Sequence, residues 1–523
     1  MGVNKDELLL EQCISDAPAI FQDIPYEHPL DQEVLEILQK LHDKINGNAD
    51  DFYIFRYRQD IVDPLWEKLI EKAIKCLRYC DSREPFKQSE SKKSPKAYGI
   101  QELKKYYNEY TEFERLLYGS SRYYRDHVIH VFRTWLSGAV QLVKNDAKYL
   151  DNLQIHEKNC EVSLSREEKL SMWTIIALTH DLGYPLQKAK DIINTTRSMV
   201  STFISDPDIS MDFSFHGVQN YMNDFVVRLM SSKMIEYGID EHGKTTYAAR
   251  LQPKYYFKFQ KSLESNKHGI LSTLIIYKLL TYFLESDYNI NEDYKFDSED
   301  RRQFYIRREI LRAIASHTCD DIYQLYMTSF SFLLRICDDT QEWGRKNISE
   351  LYVNSSTSYE LKDIDFNIDS DNKEHTCVIE EAFTVTESSE VVTLINRLRE
   401  QSLVYVTIFR DGQDTILRNF SFTRKLLIKY QTAVEISLDL EIPKDDASRL
   451  TGRIKFGSDN KMKETFGANF YKEVCIDWSK NIRLSDGAAK EYGMITMDAK
   501  GEIITPKEYK KYKYGDFTIL LTK

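Results

Sequence analysis

The sequence predicts a mainly α-helical protein. A helical bundle over residues 100–345 stands behind a helical N-terminal cap (1–99), and a linker (346–372) joins it to a separate α+β domain (373–523). Three observations predict this. Apolar residues recur at spacings of three and four through most of the first 345 positions, the pattern of amphipathic helices. After Arg345 the chain turns polar and then shifts to short runs rich in β-branched and aromatic residues. A chain of 523 residues is also too long for one compact core, so a division into two or three domains is expected.

In order, "DQEVLEILQKLHDKI" and "DPLWEKLIEKAIKCLRYC" place Leu, Ile and Val on one helical face and form the cap. The stretch 81–99, "DSREPFKQSESKKSPKAYG", is Ser/Lys-rich and punctuated by Pro, and reads as a loop. Helical patterns return from 100 to 345. About 191–255 is the exception: "ISDPDISMDFSFHGVQN" and "EYGIDEHGKTTYAARLQPKY" are rich in turn residues, and the region reads as an insertion. The tail alternates strand-like runs, "TCVIEEAFTV", "LVYVTIF", "AVEISLDLEI", "EVCIDW" and "FTILL", with the helical pieces "SEVVTLINRLREQ" and "TRKLLIKYQ". A mostly antiparallel sheet with helices on one face is expected there.

The net charge of −11 opposes a general affinity for nucleic acid backbone. The eight cysteines are scattered, with only Cys76 and Cys80 close, so neither a disulfide framework nor a zinc knuckle is indicated. There is no basic leader, and no apolar run approaches the roughly 18 residues of a membrane span. A cytoplasmic protein is expected, with no membrane partner; homo-oligomerisation stays open. No phosphate-binding glycine loop of the nucleotide-triphosphatase or dinucleotide type occurs.

The stretch "SMWTIIALTHDLGYPLQKAK" (171–190) carries the chemistry. An apolar helix ends in His180 and Asp181 just before Gly183, Tyr184 and Pro185 stop it. A buried carboxylate there needs a partner, because leaving it unpaired costs several kcal/mol. Four other helices offer one: "SSRYYRDHVIHVFRTWLSGAVQLV" with His127 and His130, "NKHGILSTLIIYKLL" with His268, "RREILRAIASHTCDD" with His317, and "FSFLLRICDDTQEWGR" with Asp338. Any one histidine on an apolar face is more often a satisfied core residue. Imidazoles and carboxylates delivered jointly by several core helices instead make a ligand set suited to Mn, Fe, Co or Zn, with Mg admitted. Asp339, next to Asp338, lies about 100° round its helix and suits the site poorly.

The order His, His-Asp, His, His, Asp resembles the HD-domain superfamily of metal-dependent phosphohydrolases, over roughly residues 115–345. "HGILSTLII", "ILRAIASHT" and "CDDTQEWGR" are similar to the segments that supply a second ion in its two-metal members. The resemblance implies that His127, His180, Asp181 and Asp338 hold one ion, and that Asp181 bridges to a second held by His268 and His317. His127 is preferred to His130 because Val131 follows it at the family spacing. His130 would then face the same cleft as an acid or a phosphate ligand. The implied fold is an HD-like helical bundle, and the implied function is divalent-metal-dependent hydrolysis of a phosphoester or phosphoanhydride bond in a nucleotide or nucleotide-derived signal. The alternatives are an HD-type nucleotide sensor without turnover and an HD-fold di-iron oxygenase.

That chemistry needs neutral imidazoles, which hold cations without cancelling their charge, and a carboxylate, whose two oxygens can span two ions. Asp181, His130 and Lys188 are the catalytic candidates. Arg122, Arg125, Tyr184, Lys188 and Arg345, with Lys190 and Lys267 nearby, are placed to meet substrate phosphates. Asp320 and Asp321 suit a helix cap, and Trp343 suits core packing or a base-stacking position at a pocket mouth. The acidic chain favours a small nucleotide over a polymer.

Overall fold

Capping and periodicity together fix the helices. In the computed structural model the described residues are 5–47, 56–81, 98–120, 126–157, 162–205, 218–285, 295–319, 326–341, 358–369, 374–385, 394, 420–430, 434–442, 451–456, 473–477, 494–497 and 503–504. Helices α1 (Lys5–Phe21), α2 (Gln32–Ile45) and α3 (Asp63–Tyr79) come first, and a π-helical turn at Arg58–Val62 runs into α3. Then follow α4 (Ile100–Ser120), α5 (Val128–Val143), α6 (Lys148–Asn152), α7 (Arg166–Thr179), α8 (Tyr184–Val200) and α9 (Val218–Ser231). A hairpin of β1 (Ser232–Ile239) and β2 (Thr245–Leu251) interrupts the helices. The series ends with α10 (Pro253–Glu264), α11 (His268–Leu279), α12 (Thr281–Leu284), α13 (Ser298–Ser316) and α14 (Phe330–Gln341).

Start signals are explicit. Asp31 Oδ1 accepts the Val34 N–H at the head of α2, and capping boxes open α7 (Ser165 with Glu168) and α13 (Asp297 with Asp300). The core forms around α7, which is buried from Glu168 to Thr179 and contacts α3, α5 and α13. Its approach to α5 is close. Trp173 Nε1 donates to Trp135 O (3.0 Å), Trp135 Nε1 donates to Thr174 Oγ1 (3.1 Å), and a Cβ on Gly138 would stand 2.0 Å from the Trp173 ring. Trp66 Nε1 on α3 donates to Leu178 O (3.0 Å), tying the N-terminal helices to the last turn of α7. On α1, Asp6 is buried and takes a bidentate bond from Arg133 of α5.

The N-terminal helices, read as a cap on the bundle, fall within the same compact unit, Met1–Ile322 with Thr328–Gln341. The expected insertion at 191–255 contains the second half of α8, α9 and the hairpin, so this helical unit is interrupted by two strands.

The second unit comprises Tyr323–Met327 and Glu342–Lys523. Its strands are β3 (Ser358–Asp369), β4 (Glu374–Val385), β5 (Phe420–Tyr430), β6 (Val434–Ile442), β7 (Thr451–Phe456), β8 (Glu473–Asp477), β9 (Met494–Met497) and β10 (Ile503–Ile504). They form one sheet in sequential order, antiparallel throughout except for the parallel pair β4–β5. Two expectations are corrected. Residues 358–369, read as linker, are strand β3, and "TRKLLIKYQ", read as helix, lies almost wholly in β5. Both were obscured by composition: β3 alternates apolar Ile364, Phe366 and Ile368 with acidic and polar neighbours, and Leu426–Ile428 fits either period. The runs "LVYVTIF" and "FTILL", and all but Leu394 of "SEVVTLINRLREQ", lie outside the described residues. One sheet face is buried through Ile364, Phe366, Cys377, Ile379, Phe383, Phe422 and Leu426. It also encloses the Arg424–Glu381 ion pair, to which Tyr359 OH donates at 3.0 Å.

Candidate metal centre

Five helices deliver six side chains to one point of the helical unit. His130 lies in the first turn of α5, and His180, with Asp181 directly after it, closes α7. His268 opens α11, His317 closes α13, and Asp338 sits within α14. His130 Nε2 is 2.9 Å from Asp338 Oδ1 and 3.8 Å from Asp181 Oδ2. His180 Nε2 lies 3.6 Å from Asp181 Oδ1 and 3.8 Å from Asp338 Oδ1. On the other side, Asp181 Oδ1 is 3.2 Å from His268 Nε2 and 3.6 Å from His317 Nε2, while those two nitrogens stand 3.1 Å apart. Three overlapping groups result: His130, His180 and Asp181; His180, His317 and Asp338; Asp181, His268 and His317. Asp181 belongs to two of them, one oxygen toward His130 and the other toward His268 and His317.

The donor chemistry fits a cation. His180 Nδ1 donates to Ala177 O (2.8 Å), His317 Nδ1 to Ile314 O (2.5 Å) and His268 Nδ1 to Gln187 Oε1 (2.9 Å). Nε2 is therefore the nitrogen that each ring turns toward the carboxylates, and it offers a lone pair there once its proton is lost. His180 Nε2 is buried without a hydrogen-bond partner, its two nearest carboxylate oxygens lying beyond hydrogen-bond reach. Acceptors facing acceptors repel unless a proton or a cation stands between them. Two ligands about 2.1 Å from one ion stand about 3.0 Å apart at an octahedral angle and about 3.4 Å apart at a tetrahedral one. The separations of 2.9–3.8 Å fall around those values.

Electrostatics agree. Burial alone would lower the pKa of His180, yet Asp181 and Asp338 push it up to about 9. His317 is held down to about 4, chiefly by burial. Burial opposes ionisation of Asp181 and Asp338, but the surrounding imidazoles hold both well below the usual carboxylate range.

The site is braced from behind. Ser272 Oγ donates to His180 O (2.6 Å) and accepts the Gly183 N–H (2.8 Å), pinning the turn after α7 to α11. The turn needs glycine there, since a Cβ on Gly183 would lie 2.3 Å from His268 O. Arg335 donates to His317 O (2.8 Å) and holds Asp339 (3.0 Å), which accounts for Asp339 outside the cluster.

The expectation that His127 is the first ligand and His130 its neighbour is corrected: it is His130 that enters the cluster. His127 is the N-cap residue of α5, and its backbone N–H donates to buried Glu114 (2.7 Å), which also pairs with Arg58 (3.2 Å). The His127 ring packs on Tyr184 at 3.7 Å, and Tyr184 meets His268 edge-on at 5.5 Å. Lys188 stands over the Tyr184 ring at 5.5 Å, so both expected substrate residues on α8 lie beside the cluster. Lys267 caps α11 next to His268. Arg122, Arg125, Asp320, Asp321, Trp343 and Arg345 lie outside the described residues, as does the side chain of Lys190. Sequence reasoning missed Gln187, Ser272, Arg335 and Glu114; only the first two carried a signal, being polar residues on the apolar flanks of the His-Asp turn and of α11.

Compared with protein-family models, with curated proteins and with solved structures, the chain matches none. Among the described residues no helix is long and apolar enough to cross a membrane.

Proposed function

We propose that the chain is a divalent-metal-dependent phosphohydrolase of the HD type, acting on a phosphoester or phosphoanhydride bond of a nucleotide or nucleotide-derived signal. The observation that carries the reading is the convergence of four imidazole Nε2 atoms, three of them (His180, His268 and His317) with Nδ1 already committed, on two ionised carboxylates. His130, His180, Asp181 and Asp338 would hold one divalent ion and Asp181, His268 and His317 a second; such ions would supply an acidified water and neutralise phosphoryl oxygens. The other parts are the chain's own. Asp181 directs its two oxygens to the two sides, a role imidazole cannot fill. Lys188 and Tyr184 border the partly exposed His268 edge, where an ammonium and a phenol suit the substrate's anionic end. The acidic chain favours a small, enclosed phosphate ester over a polyanion.

The test combines element analysis with a panel of mono-, di-, tri-, cyclic and dinucleoside phosphates supplied with Mn²⁺, Fe²⁺ or Co²⁺. Release of phosphate, pyrophosphate or triphosphate from some member is expected. Asp181→Ala and His130→Ala should each abolish it and lower the bound metal, whereas His127→Ala should keep the metal. A panel with no turnover, in which one nucleotide binds tightly and unchanged, replaces hydrolysis with sensing. Consumption of O₂ by an iron-coloured protein replaces it with oxygenation.

A further inference from the structure

Three of the clustered imidazoles present Nε2 to the site because Nδ1 is held elsewhere, but they are not held alike. His180 and His317 each close a helix and donate to a carbonyl three residues back in their own chain, Ala177 O and Ile314 O. The last turn of a helix leaves such carbonyls open, so the orientation is built into the helix end. His268 stands at the opposite kind of terminus. It is the first residue of α11, where the backbone offers unpaired N–H donors and no carbonyl of its own helix to accept from a ring.

The missing acceptor comes from α8. Gln187 Oε1 lies 2.9 Å from His268 Nδ1 and 2.9 Å from the His268 backbone N–H. The second bond settles the first, because a backbone N–H only donates. The atom facing it must be the amide oxygen, and an amide oxygen only accepts, so Nδ1 carries the hydrogen and Nε2 the lone pair. The Nε2 atoms of His268 and His317 then face each other at 3.1 Å, with Asp181 Oδ1 at 3.2 and 3.6 Å. Atoms at these separations would suit three ligands of one cation. Were the amide lost, nothing in α11 itself would keep Nε2 rather than Nδ1 turned to Asp181.

We propose that Gln187 is a positioning residue: it selects the tautomer and orientation of His268 and thereby makes Asp181, His268 and His317 into a second cation site, separate in its dependence from the site of His130, His180 and Asp338. The assignment rests on the metal reading of the same cluster. It deepens that reading by making the second site conditional on α8, the helix that also carries Tyr184 and Lys188. A partner that orients a metal-binding histidine is commonly worth 10–100-fold in affinity.

The experiment measures Mn²⁺ and Co²⁺ binding to the full chain by titration and element analysis, in wild type, Gln187→Met, Gln187→Asn and Gln187→Glu. Wild type is expected to bind two ions. Gln187→Met, which offers no acceptor, and Gln187→Asn, which falls one methylene short, should weaken the second ion about 10–100-fold and leave the first unchanged. Gln187→Glu keeps an acceptor for both N–H groups and should restore two ions, with a Co²⁺ spectrum matching wild type. Thermal unfolding in chelator checks that each variant folds, and Gln187→Asn serves if Gln187→Met does not. Two ions bound to both Gln187→Met and Gln187→Asn with wild-type affinity would overturn the role of Gln187 while leaving the metal reading intact. Equal weakening of both ions would also overturn it, since Gln187 would then be a general support. A wild-type chain that binds no divalent ion overturns the metal reading itself, and the assignment with it.

Discussion

At the residue scale, His180 ties the electrostatics of the cluster to its occupancy. In the metal-free chain the Asp181 and Asp338 carboxylates hold its proton up to a pKa of about 9 against the effect of burial. A group whose pKa is raised on folding stabilises the fold fully below its unfolded value, about 6.5, and that contribution is lost as pH rises through the folded value. Metal competes for the same Nε2, so the sign reverses for binding: affinity should rise with pH between about 6.5 and 9, with proton release per ion falling over that range. Calorimetric titration in buffers of different ionisation enthalpy would measure the release. Affinity independent of pH over that window would remove His180 from the ligand set. The set itself was mostly legible, because His-Asp at the end of an apolar helix demands partners and His268, His317 and Asp338 each stand at the end or on the apolar flank of another core helix. What was not legible was the start of α5. Val131 follows His127 and Thr134 follows His130 at the same spacing, so sequence alone leaves both able to face inward. The boundary decides between them: the helix begins at Val128, His127 becomes its N-cap residue bonded to Glu114, and His130 turns to Asp338.

At the scale of elements, the site depends on how closely α5 and α7 approach, since they carry His130 and His180. Gly138 sets that approach, with a Cβ there falling 2.0 Å from the fully buried Trp173 ring. Overpacking of a filled core costs about 1–3 kcal/mol, so Gly138→Ala should lower stability by about that much and weaken metal binding as His130 moves away from His180. Denaturant unfolding together with metal titration checks both. Unchanged stability would mean that the two helices part freely, contrary to the fit of Trp135 and Trp173. Legibility was uneven here too. Helices with strong three-and-four periodicity were read correctly, whereas β3 and β5 were missed, because polar alternation resembles a linker and a triple of apolar residues fits either period. A sheet face is recognised only once its partners are known: Arg424 is buried because Glu381 lies on the neighbouring strand, a fact that no local window of sequence contains.

At the scale of the whole molecule, the chain divides into two compact units, and all six clustered side chains fall in the helical one. A ligand that binds only the folded form of one unit stabilises that unit by mass action. Scanning calorimetry should therefore resolve two transitions, with chelator lowering one and leaving the other in place. Transitions that move together would show the two units unfolding as one.

The parallel pairing of β4 with β5 has a consequence for the order of assembly. Antiparallel neighbours such as β3–β4 and β5–β6 are joined by short connections and can zip locally, whereas β4 ends at Val385 and β5 begins only at Phe420. Closing the longer loop costs more chain entropy, and long-range pairings of this kind are the slow steps of folding. The β3–β4 hairpin and the strands from β5 onward are thus expected to form before they pair with each other, and the buried bond between Arg424 and Glu381, which spans β4 and β5, to form late, as a lock between the two parts of the sheet.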